Sequence, residues 1–271
     1  MTLHRVLLTV LMLNSASCGG ARAGGPVFSD TGPEAEAYGA SKGYPAPTVY
    51  PSAGQQDMLV GLYSHYDRVT SMRGVPRSGP VSALKPVEEI APVYHYDGRQ
   101  KVISDYLDSH PVTGLLIARG DTILYEHYRY ARTDQDRFLS NSMAKTITGL
   151  LVGIAIAEGA IGSIDDTAAT YVPELSGTEY GATPLRALLH MSSGVAFSET
   201  YQPGDDIFKL AGAIFREKPV GAIAALRLFN TRDAAPGVRF SYSSAETEVL
   251  GLVVSRTAKL SLADYLSTRL W

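Results

Sequence analysis

The chain has 271 residues, 45% of them hydrophobic and 19% charged, and its 24 Lys+Arg against 27 Asp+Glu leave a formal net charge of −3. A balanced charge argues against a protein whose main affinity is for nucleic acid, which needs a clustered basic surface, and the hydrophobic fraction argues against disorder of the whole chain. The six histidines and the single cysteine show neither HxH nor HExxH spacing, so a metal centre is disfavoured and no cofactor is expected.

Residues 1–23 read as a secretory signal peptide: Arg5, an apolar stretch from Val6 to Leu13, then small residues with an A-x-A site at Ala21-Arg22-Ala23. The expected location is therefore secreted or periplasmic, with a mature chain beginning near Gly24. Lipid attachment at Cys18 is the alternative. The apolar stretch is well short of the roughly twenty residues a spanning helix needs, so no stable membrane span is expected. After cleavage no cysteine pair remains to form a disulfide.

Residues 24–92 hold nine of the 15 prolines, with many Gly, Ser and Tyr, and read as an extended arm. Regular structure is expected from 93 onward, with a helix over Arg99–His110 stopped by Pro111. Thr113–Ala118 and Ile123–Tyr128, joined by Arg119-Gly120-Asp121-Thr122, form a β-hairpin signal. Ser142–Gly159 reads as a helix with no charged side chain between Lys145 and Glu158, which predicts burial on all sides. Helical patterns follow over Pro184–Met191, Asp206–Glu217, Pro219–Phe229, Ser244–Lys259 and Ser261–Leu270. The one later strand signal is Val238–Tyr242. Two or three strands are too few to cover so many helices.

Ser142-Met-Ala-Lys145 matches the S-x-x-K pattern of serine acyl-transfer enzymes. The spacing puts hydroxyl and amine on one helix face, where the amine can take the hydroxyl proton. A lysine serves as a base when desolvation or nearby positive charge lowers its pKa. One such match per chain is expected by chance, and an N-cap serine on a core helix is the alternative reading of Ser142. Ser82-Ala-Leu-Lys85 also fits, but Pro86 stops a helix there. Gly39-Ala-Ser-Lys-Gly43 fits G-x-S-x-G without the strand and helix that motif requires. Asp165-Asp166 read as turn and N-cap residues, and His190 as a packed helix-end residue.

Tyr242-Ser243-Ser244, just before another helix, shifts the balance. With Ser142-x-x-Lys145, the hairpin before it, Gly159–Asp166, Pro184–Gly194 and Phe240–Gly251, it resembles the serine β-lactamase and penicillin-binding superfamily over about residues 113–271. The resemblance implies an α+β, β-lactamase/transpeptidase-like fold: an antiparallel sheet flanked by helices, with a mostly helical subdomain. A serine at 244, where penicillin-recognising branches carry asparagine, is similar to the branch of 6-aminohexanoate-dimer hydrolases and related esterases. Ser198-Glu-Thr-Tyr201 looks like the tyrosine-bearing substrate loop of that branch.

The implied site is Ser142, Lys145 and Tyr242 as catalytic residues, with Ser244 and Tyr201 binding a small-molecule ester or amide. The implied reaction is two-step acyl transfer. By the same resemblance the domain 93–271 is expected to be incomplete, lacking C-terminal strands, the third motif and the second oxyanion donor. The alternatives are a penicillin- or muropeptide-binding sensor or DD-carboxypeptidase-like protein, and an inactive truncated product.

Overall fold

The computed structural model describes residues 25–49, 55–215 and 220–271, so the expected leader and Cys18 lie outside the described residues. The chain divides into two units. One holds the described residues up to Met72 together with Pro80–Ser140, the other Arg73–Gly79 with Asn141–Trp271.

In the first unit the elements in chain order are β1 (Val27–Phe28), α1 (Leu59–Ser64), β2 (Lys85–Pro86), β3 (Val93–Tyr96), β4 (Arg99–Val102), α2 (Ile103–Ser109), β5 (Gly114–Arg119) and β6 (Thr122–Tyr128). The expected hairpin is β5–β6, paired antiparallel from Gly114 opposite Tyr128 to Arg119 opposite Thr122, with a register shift at Ile117/Ala118. Gly120 turns it with φ of 60°, a left-handed conformation that costs glycine little. Along β6, the edge not taken by β5 pairs in parallel with β1 at Tyr128 and with β2 at Ile123. A second hairpin, β3–β4, claims Arg99–Val102, so the helix expected there starts only at Ile103.

The segment read as an extended arm thus supplies two strands of the sheet and helix α1. Its tyrosines anchor it. Tyr130 is buried, donates to the Pro33 carbonyl at 2.7 Å, and meets the rings of Tyr38 and Tyr44 edge-on at 5.8 and 5.9 Å. Tyr44 in turn donates to the Asp30 carbonyl at 2.6 Å. Each buried phenol brings apolar area and a satisfied hydroxyl, which suits a segment too rich in proline to form long strands.

The second unit is helical: α3 (Ala144–Ala157), α4 (Ala168–Tyr171), α5 (Leu185–Leu189), α6 (Asp206–Phe215), α7 (Ala222–Leu226), α8 (Ser244–Ala258) and α9 (Leu262–Arg269). Its core is the seam where Leu151, Val152 and Ala155 of α3 are buried with Ala245, Val249, Leu250, Val253 and Val254 of α8. The apolar spacing of α8 is that of one helix face. Helix α3 does not meet the expectation of burial all round. Met143 and Leu150 are 55% and 47% exposed, on the face away from that seam. Its low charge reflects small and apolar residue types, which a helix tolerates on an open face.

Val238–Tyr242 is not a strand. The Gly237 and Ser241 N–H groups donate instead to the Ser192 and Met191 carbonyls at 2.8 and 2.7 Å. Single bonds to a loop replace a ladder, and they set the entry of the chain into α8. The loop itself turns at Gly194, where φ is +74° and an added Cβ would lie 1.8 Å from the Ala234 carbonyl oxygen. Both the conformation and the contact exclude a side chain there. Gly194→Ala is expected to lower the unfolding free energy by more than about 2 kcal/mol. A urea midpoint equal to that of the unmodified protein would contradict this account of the turn.

Candidate active site

Ser142 sits in a single tight helical turn, Asn141–Met143, that leads directly into α3. Lys145 is in the first turn of that helix. The Lys145 Nζ donates to Ser142 Oγ at 2.8 Å, so the S-x-x-K spacing places the amine on the hydroxyl as the motif requires. Lys145 Nζ also lies 5.0 Å from the centroid of the Tyr242 ring, within cation–π range. Tyr242 precedes α8, which is packed on α3 through the buried seam, and this packing brings two distant sequence segments together.

The geometry at Tyr242 differs from the expected Lys–Tyr pair at the serine proton. Tyr242 presents its ring face to the amine, and among the described residues its hydroxyl has no hydrogen bond to Ser142 or Lys145. Tyr242 is also not among the residues that line the adjoining cavity, so its ring contact with Lys145 is what ties it to the Ser142–Lys145 pair.

Ser244 is engaged elsewhere. Its N–H and hydroxyl donate to the two carboxylate oxygens of Glu199, at 2.6 and 2.7 Å. Tyr201 donates to the same carboxylate at 3.0 Å. Glu199 therefore caps the N-terminus of α8, where the helix dipole favours an anion, and joins the two residues expected to bind substrate. In the sequence it stands only as part of Ser198-Glu-Thr-Tyr201, a tetrapeptide in which the acid has no visible partner. Tyr201 is 58% exposed, with a positive φ of 62°. Partial desolvation, the hydrogen bond to Glu199 and the nearby Glu199 and Tyr242 push its phenol up to about 12.

Asn141, Ser142, Ala144, Lys145, Thr148, Tyr201, Ser244, Thr247 and Glu248, all in the second unit, line one cavity of about 590 Å³. That size suits a small molecule. The other sequence candidates are structural. Asp166 accepts from Ser163 N–H at 3.0 Å and Tyr171 hydroxyl at 2.5 Å, Asp165 pairs with Arg186 at 2.7 Å, and His190 ends α5. Among the described residues no group of three or more His, Cys, Asp or Glu side chains could hold a metal, and no helix is long and apolar enough to cross a membrane.

A family model described as Beta-lactamase matches residues 99–271. A 6-aminohexanoate-dimer hydrolase of Paenarthrobacter ureafaciens is 31% identical over 201 residues, covering 70% of this chain and 50% of that protein. A provisional 6-aminohexanoate-dimer hydrolase from Bacillus anthracis, of known structure, superposes with a TM-score of 0.66 at 24% identity, covering 79% of this chain and 58% of the other. The chain spans about half the length of these relatives.

One buried acid ties the Ser193 loop to α8. Glu246 is 1% exposed, and its Oε1 accepts from the Ser193 N–H at 3.2 Å and the Ser193 hydroxyl at 2.7 Å, while Oε2 has no partner. Burial pushes its carboxyl up to about 7, against opposing hydrogen bonds from Ser193 and Ser192 and the charge of Arg232. The folded protein therefore holds a proton that the unfolded chain releases near pH 4.5. The associated stability is complete below that pH and is lost as pH rises through about 7. Glu246→Gln should flatten this slope and gain on the order of 2–3 kcal/mol over the unmodified protein at pH 8. Urea titrations of both at pH 5 and pH 8 test it; parallel pH trends would rule the assignment out.

Proposed function

The chain belongs to the β-lactamase family, and from that premise we propose that it is an exported serine hydrolase cleaving an ester or amide through an acyl-enzyme on Ser142. The observation that carries this reading is the 2.8 Å contact between Lys145 Nζ and Ser142 Oγ, in a cavity of small-molecule size. Lys145 takes the hydroxyl proton as Ser142 Oγ bonds to the substrate carbonyl carbon. The tetrahedral oxyanion forms at the N-terminal end of α3, where unpaired N–H groups and the helix dipole favour negative charge. On collapse, the carbon–oxygen or carbon–nitrogen bond breaks and the leaving group takes the proton, passed through the Tyr242 hydroxyl. Water then attacks the acyl ester, releasing the acid and restoring Ser142.

Ser244 and Tyr201 form the substrate-facing wall, held in place by Glu199. The 6-aminohexanoate dimer, which gives the Paenarthrobacter relative its name, belongs in the substrate panel beside simple esters.

Incubation with a fluorophosphonate probe and an ester panel tests the reading. Labelling and turnover are expected, and Ser142→Ala should abolish the label and reduce turnover by more than about 10³-fold. A stable adduct without turnover would favour an acylating sensor or slow carboxypeptidase. Absence of labelling would overturn both and leave an inactive product.

A further inference from the structure

The cavity beside Ser142 holds one ionisable side chain that the proposed reaction leaves without a task. Glu248 lies one turn along α8 from Ser244, and Thr148 one turn along α3 from Lys145. Both line the cavity together with Thr247. The acids around it are committed: Glu199 to Ser244 and Tyr201, Glu246 to Ser193. Among the described residues Glu248 has no ion pair or hydrogen bond, and Lys145, the one cation lining the cavity, donates to Ser142 instead. Burial raises the Glu248 carboxyl above the usual range, as expected for an acid that has lost water and gained no donor.

A carboxyl desolvated at a cavity wall without a partner is costly unless a ligand supplies one. We propose that Glu248 is a specificity residue that receives a cationic amine carried on the acyl part of the substrate. The inference rests on Ser142 being the nucleophile. A primary ammonium has three N–H donors and no acceptor. Glu248, Thr148 and Thr247, which line the cavity together, bring a carboxylate and two hydroxyls that can accept. Thr148 lies one helical turn, about 5 Å, along α3 from Lys145, so an amine joined to the carbonyl by a short methylene chain is the first length to test. A carboxylate at that point of the substrate would meet Glu248 as a like charge and be rejected.

The test compares p-nitrophenyl β-alaninate, which carries the ammonium, with its neutral isostere p-nitrophenyl butanoate, each corrected for spontaneous hydrolysis. In the unmodified full chain the ratio of kcat/KM, cationic over neutral, should be about 10 to 100, the range of one charge-assisted hydrogen bond. Glu248→Gln should bring that ratio to near one, and Glu248→Asp should keep it above one. Because the ratio is taken within each variant, a partly folded preparation does not imitate the result. Ser142-dependent turnover with no preference for the amine, or a preference that survives Glu248→Gln, overturns this inference alone. No Ser142-dependent turnover of either ester overturns the hydrolase reading itself.

Discussion

Leu151, Val152 and Ala155 of α3 are buried against Ala245, Val249 and Val253 of α8, and this seam holds together groups that lie far apart in sequence. Its apolar side chains, at roughly 1.5–3 kcal/mol for each larger one fully buried, outweigh any single polar contact in the site. They set the separation at which the turn bearing Ser142 faces the chain entering α8. The 2.8 Å contact of Lys145 with Ser142 is local to one helix, whereas the approach of Tyr242 to Lys145 exists only because the two helices pack.

The N-terminal end of α8 shows the polar counterpart of that packing. Glu199 neutralises the first N–H of the helix and fixes Ser244 and Tyr201, while Glu246, two residues further on, fixes the Ser193 loop. Two acids at one helix start exploit the dipole, but they differ in solvation. Glu199 has donors on both oxygens. Glu246 has one oxygen without a partner, and burial pushes its carboxyl up to about 7. The Ser193 loop is thus tied to α8 by an acid whose carboxyl titrates well above the usual carboxylate range.

Both expected substrate-binding residues line the cavity, yet Ser244 spends its hydroxyl on Glu199 rather than offering it freely. The hydroxyl is therefore an oriented group, its donor directed into the protein and its lone pairs left to accept. That arrangement, with Thr148, Thr247 and Glu248 also lining the cavity, gives it several acceptors beside its single lysine.

Residue types and spacing were enough to read the β5–β6 hairpin and every helix of the second unit but the four-residue α4, and to mark Ser142 and Lys145 as a candidate pair, because each depends on a local period or a local turn. Tertiary structure decided what depends on a distant partner. Val27–Phe28 and Lys85–Pro86 are strands because β6 has an open edge, and no pattern in two residues can announce that. Val238–Tyr242 alternates like a strand, but its Val238 N–H turns back to the Ala235 carbonyl and its Ser241 N–H goes to the Met191 carbonyl, so no ladder forms. Met143 and Leu150 look like core residues and are exposed, since hydrophobicity says what can be buried and not what is present to cover it. Glu199 and Glu248 were anonymous acids in the sequence; one became a helix cap and the other an unpartnered cavity group only when packing chose their neighbours.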